Sequence, residues 1–158
     1  MRYQDQVVRA TQKALDDVCR AALAMPADKV EWVPMGEVRS VLSQMQEMAT
    51  AGAWFIPIVR DRAQPEFDEH ARREAVRLRQ SYDTIEKCVE AARNSTSELC
   101  QQIAAFPDSD LEEEMRLPFG GGVVMTMADV LGMHQWNMIY HLGQINQLQL
   151  MLGDREMH

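Results

Sequence analysis

Two polar side chains stand one helical turn apart near the end of this chain, Asn137 and His141 in the run NMIYHLGQINQLQLMLG. Side chains at i and i+4 share a helix face, so an amide and an imidazole can converge there on one ion or on each other. His134 lies one turn before Asn137 and on the same side. It is about 10.5 Å from His141 along a helix axis, too far for both rings to bind one ion through bonds of ~2.1 Å. From residue types alone, His141 is either a metal ligand or a hydrogen-bonded core histidine, and His134 either supports such a site or serves the fold. Buried groups of this kind must find partners, because each unsatisfied one costs about 1–3 kcal/mol.

The elements that must position them are helical. Val130, Met138, Ile145, Leu148 and Leu152 form an apolar stripe on a helix expected from about 126 to 152, with Gly153 as its cap. Val7, Thr11, Ala14, Val18, Ala21 and Met25 repeat at steps of four and three, and Pro26 stops that helix. A second helix is expected from about Gly36, after Pro34, with Val41, Met45, Met48, Gly52, Phe55 and Val59 on one stripe. Pro57 should kink it or end it early. The longest stripe runs Ala71, Ala75, Leu78, Tyr82, Ile85, Val89, Ala92, Thr96, Leu99 and Ile103, which predicts one straight helix over 69–105. The segment FPDSDLEEEMRLPFGGG that follows reads as a mobile connection, and no stretch reads convincingly as a strand. Its three glycines do not make a phosphate loop, because no Lys or Ser/Thr follows at the required spacing. Four long helices in 158 residues, with neither an internal repeat nor a second domain, predict an all-α four-helix bundle over 1–158.

Composition narrows the function. Sixteen basic against twenty-four acidic residues give a net charge of −8, which repels phosphate backbones. The nearest basic cluster, Arg72, Arg73, Arg77 and Arg79, is interleaved with Glu66, Asp68, Glu69 and Glu74 and reads as a solvated face. Nucleic acid is therefore not an expected partner. No window approaches the ~20 apolar residues of a membrane span, and the polar start lacks a signal-peptide core. Cys19, Cys88 and Cys100 show no CxxC spacing and sit in expected helices, which fits buried thiols in a reducing cytoplasm.

The run HQWNMIYHLGQINQLQLMLGD from His134, and above all YHLGQI within it, resembles the last-helix signature of the DinB/YfiT-like superfamily of four-helix bundles. EWVPMGEVRSVLSQMQEMATAGAWF, 31–55, resembles its second-helix segment, in which a Trp-Pro turn and an Arg-Ser-Val helix start lead to the first histidine ligand. The resemblance implies a site of three histidines, one on the second helix and two on the last. Carried over residue by residue, these fall on Glu47, Asn137 and His141, so two of the three differ. Carboxylate, amide and imidazole form a harder donor set than three imidazoles, and asparagine is a weak neutral ligand. The resemblance thus implies a centre for nickel, zinc, manganese or iron, or one that has lost its metal.

The same resemblance implies an enzyme acting on a small molecule, as a hydrolase or a thiol-dependent transferase, and a homodimer. His141 and Glu47 are then the catalytic candidates, with His134 and Gln144 orienting them and Trp54 and Trp136 at the pocket mouth. Glu47 lies about 100° off the stripe of its helix, which leaves a pocket-facing and an exposed carboxylate both open. Facing inward, it would pair with His141 and could work as acid and base without an ion. The alternative function is a non-catalytic bundle, structural or binding a small ligand, in which the metal site has decayed.

Overall fold

The computed structural model describes residues 1–66, 68–118 and 121–158. Helix α1 spans Tyr3–Leu23 and buries the stripe read from its periodicity, from Val7 through Ala21. Helix α2, Val41–Asp61, starts five residues later than expected. Gly36 adopts φ +54°, which a right-handed helix cannot contain, and the Ser40 hydroxyl caps the true start by accepting from Ser43 N at 3.1 Å. Pro57 does not end this helix. Phe55, Ile56, Ile58 and Val59 around it are all buried, and that packing outweighs the ~3 kcal/mol an internal proline costs.

The single helix expected over 69–105 is two: α3, Glu69–Gln80, and α4, Ile85–Ala105. The break falls where Ser81, Asp83 and Thr84 offer the backbone local partners, and Thr84 Oγ1 caps α4 by accepting from Lys87 N. Burial starts only at Ile85. Helix α3 buries none of its residues, and Leu78, counted in the apolar stripe, is about half exposed.

The expected connection without strands contains a hairpin, β1 (Glu114–Leu117) antiparallel to β2 (Val123–Thr126), with Met115 opposite Met125. The run Glu-Met-Arg-Leu alternates polar and apolar, so Met115 and Leu117 turn into the core while Glu114 and Arg116 face water. Gly121 and Gly122 take positive φ in its turn, and Gly120 of the same glycine run lies outside the described residues. Helix α5, Met127–Met151, is capped by Thr126 at one end and followed by Gly153 at φ +89° at the other.

Helices α1, α2, α4 and α5 form the bundle, in an order that the chain does not follow. Each of α1 and α2 packs between α4 and α5, so α1 lies diagonally from α2 and α4 diagonally from α5. Helices α1 and α5 run parallel, tied by Tyr3 Oη to Ala128 O at 2.7 Å and by Gln149 Nε2 to Ala21 O at 2.9 Å. Helices α2 and α5 run antiparallel, so residues early in α2 meet residues late in α5.

Two apolar clusters fill the interior. Met45, Met48, Met138 and Ile145 belong to one, and Phe55, Leu99, Leu117 and Leu131 to the other. Each bundle helix passes between them at one polar or small residue: Thr11, Gly52, Thr96 and His134. At this level Thr96 Oγ1 and His134 Nε2 are bonded at 2.9 Å. All three cysteines are buried, and burial raises each thiol pKa to about 11, which makes them unreactive. Among the described residues, no helix is long and apolar enough to cross a membrane.

Candidate metal centre

The antiparallel crossing of α2 and α5 gathers four side chains from two short sequence patterns. Gln44 and Glu47, three apart on α2, face Asn137 and His141, four apart on α5. Arg39, just before the α2 cap, reaches over the first turn to join them. His141 is 2% exposed. Its Nδ1 lies 3.0 Å from Gln44 Oε1, and its Nε2 3.2 Å from Glu47 Oε1. Asn137 Nδ2 lies 3.4 Å from the same Glu47 oxygen, and Arg39 Nη1 donates to the other, Oε2, at 2.6 Å. Arg39 Nη2 is also anchored on Ser43 O at 2.6 Å.

Proton counting gives this arrangement its chemical meaning. The Gln44 amide donates through Nε2 to Arg39 O at 3.2 Å, which fixes Oε1 as the atom facing His141. Nδ1 must then carry a proton. That leaves Nε2 facing Glu47 Oε1 at 3.2 Å, where it donates if the ring carries a second proton and accepts if it does not. Burial pushes the Glu47 carboxyl up, but hydrogen bonds from His141 and Arg39 outweigh it and hold its pKa down at about 2, so the group is a carboxylate. Without that second proton, Nε2 and Oε1 would be two acceptors 3.2 Å apart, and a metal ion could take the proton's place between them.

The donor set fits an ion. Neighbouring ligands of an ion with ~2.1 Å bonds sit about 3.0–3.4 Å apart, and Glu47 Oε1 lies 3.2 Å from His141 Nε2 and 3.4 Å from the Asn137 amide. A half-turn of that amide presents Oδ1 in place of Nδ2. No three His, Cys, Asp or Glu side chains form a metal-holding group among the described residues, so a three-donor site here would need the Asn137 amide. One carboxylate, one amide and one imidazole favour manganese or iron(II) over zinc.

Glu47 thus turns toward His141, its side chain 21% exposed. Gln44, which the sequence reading passed over, orients His141, whereas Gln144 makes none of these bonds. Its signal was the i, i+3 spacing to Glu47. Arg39 was also missed, because it lies outside the helix and its reach is not periodic. Trp54 packs edge-on against Phe55, and Trp136 is 65% exposed and stacked on Tyr140, whose ring meets His141 edge-on at 5.4 Å. A groove of about 570 Å³ between α2 and α4, lined by Ala49, Ala53, Tyr82 and Asn94 among others, includes none of the site residues.

His134 stands apart from the centre, on Thr96, with its Nδ1 unpartnered. Burial lowers its pKa to about 4. A histidine titrates near 6.5 when unfolded. As pH falls from ~6.5 to ~4, the unfolded chain therefore takes up a proton that the folded chain does not, and about 3 kcal/mol of stability is lost across that window. Urea midpoints at pH 7 and 4.5 should fall less steeply in His134→Gln than in the native chain. Equal slopes would remove His134 from the account.

Four long helices with diagonal connections, and a polar centre between the second helix and the last, define an all-α four-helix bundle. The chain matches the family model of the DinB superfamily over residues 6–145, and it belongs to that superfamily. Among solved structures it is similar to YfiT from Bacillus subtilis, described as a probable metal-dependent hydrolase with an unusual four-helix bundle topology. Identity there is 13%, over 95% of this chain and 87% of that one, with a TM-score of 0.76. The DinB-like protein YjoA from Bacillus subtilis is similar at 14% identity, over 97% and 96%, with a TM-score of 0.66. A mycothiol-dependent maleylpyruvate isomerase is similar at 10% identity, over 90% of this chain but 60% of that one, with a TM-score of 0.67. No curated protein matches the sequence.

Proposed function

We propose that this chain is a metal-dependent enzyme acting on a small molecule by hydrolysis or thiol-dependent transfer, with a divalent ion held by Glu47, Asn137 and His141. The observation that carries the reading is His141 Nε2 facing Glu47 Oε1 at 3.2 Å. An ion bound there would polarise a substrate oxygen or lower the pKa of a bound water or thiol. Among the chain's own residues, Gln44 holds the ligand His141 in one tautomer. The description of YfiT as a probable metal-dependent hydrolase supports the reading.

A second reading is favoured by Arg39. Its guanidinium already supplies positive charge to Glu47 at 2.6 Å. With a proton on His141 Nε2, the network would close as a metal-free polar core of a structural bundle. Elemental analysis decides between them. After exchange against manganese, iron(II), zinc and nickel in turn, about one ion per chain is expected for at least one metal. A chain left empty by all four would sink the metal reading.

The functional unit we propose is a homodimer. Trp136, Ile139, Tyr140, Leu150 and Met151 are exposed on α5, whose single Asp, Glu, Lys or Arg is Asp129. A chain of net charge −8 repels its copies wherever charged faces meet, and an apolar face that carries almost no charge escapes that repulsion. Light scattering should give twice the 18.1 kDa chain mass, and Trp136→Glu should halve it. A monomeric native protein would rule the dimer out.

A further inference from the structure

We infer that Arg39 is a tethered cation that competes with a divalent metal for Glu47, and so sets how tightly the centre holds its ion. The inference rests on the reading of Glu47, Asn137 and His141 as the ligand set. Arg39 Nη1 sits 2.6 Å from Glu47 Oε2, while Oε1 faces His141 and Asn137. One carboxylate therefore serves the guanidinium with one oxygen and the ligand set with the other.

Two consequences follow from charge and geometry. A guanidinium and a metal ion on the same carboxylate repel each other, and the Glu47 side chain between them is only 21% exposed. The guanidinium also occupies the oxygen that Glu47 would need to chelate an ion with both. Both effects weaken metal binding while Arg39 is in place.

Arg39 is placed to leave. Its side chain is 37% exposed. It precedes the Ser40 cap, so no helical backbone bond breaks when it swings out. Its other side-chain anchors, the Ser43 carbonyl at 2.6 Å and the Ser43 hydroxyl at 3.3 Å, can be replaced by water. The role of its backbone differs from that of its side chain. Arg39 O accepts from Gln44 Nε2 and keeps His141 oriented, and substitution of the side chain leaves that carbonyl in place.

The test is calorimetric titration of manganese(II) into metal-stripped native protein and the variants Arg39→Met, Arg39→Gln, Arg39→Lys and Arg39→Met/Glu47→Gln. Loss of the charge should tighten binding about 10-fold or more, the opposite of the loss that follows when a supporting partner of a metal ligand is removed. Arg39→Lys should stay near the native value, and the double variant should lose the gain. Arg39→Gln keeps a donor for the Ser43 carbonyl, so it reads out the charge if Arg39→Met folds poorly. Folded uncharged variants that bind manganese no more tightly than the native chain would overturn the competition. If the native chain takes up manganese and the variants match it, only the role of Arg39 falls. If the native chain stays empty while Arg39→Met fills, the competition stands and the native chain is not a manganese enzyme. If none of them binds manganese, the competition falls, and the metal reading falls with it if iron(II), zinc and nickel also leave the chain empty.

Discussion

Replacing His141 by alanine is expected to abolish the metal uptake proposed for this centre and to lower stability by about 3 kcal/mol, an order expected for a buried, hydrogen-bonded side chain. The ring is 2% exposed and joins Gln44 of α2 to Glu47 of the same helix, so its loss strips a partner from each. Gln44 Oε1 then lacks its donor, and Glu47 keeps Arg39 on Oε2 and Asn137 on Oε1 but loses the imidazole. The two effects separate in one experiment. Urea midpoints measured on stripped protein report the packing and hydrogen bonds, and the further rise in midpoint on adding metal reports the ion. The native protein should show that rise and His141→Ala should not. A variant that still gains stability from the metal would place the ion elsewhere.

Gly52→Ala is expected to cost about 2 kcal/mol, although alanine is the better helix former by about 1 kcal/mol. A Cβ at residue 52 would stand 2.8 Å from Ser95 C and 2.9 Å from Thr96 N, both backbone atoms of α4 that no rotamer change can move. Overpacking of this kind costs up to about 3 kcal/mol, and it outweighs the helical gain. The contact lies at the level where Thr96 bonds His134, so pushing α4 outward should also stretch that hydrogen bond. The urea midpoint checks the cost, and an amide exchange map should show faster exchange around 95–96 than in the native chain. A variant as stable as the native protein would mean that α2 and α4 do not approach this closely.

Much of the fold is legible because helices declare themselves locally. The stripes of α1, α2 and α5, and the caps at Thr126 and Gly153, use interactions a few residues long. The errors have physical reasons too. A stripe crossing 81–84 continues the apolar period, but periodicity says nothing about Ser81, Asp83 and Thr84 competing for the backbone. Four alternating residues in β1 are too few to register as a strand until Met115 and Leu117 find the core. Pro57 reads as a stop, yet four buried neighbours hold the helix through it.

The sequence by itself determined the helical class, the spacing of Asn137 and His141, and the resemblance that pointed to Glu47, because each depends on residues close together in the chain. Only the tertiary structure decided which way Glu47 turns, that Gln44 and not Gln144 takes His141 Nδ1, and that Arg39 shares the carboxylate. Those contacts depend on α2 crossing α5 antiparallel across about 90 residues of chain, in an order set by how the apolar faces of four helices pack together.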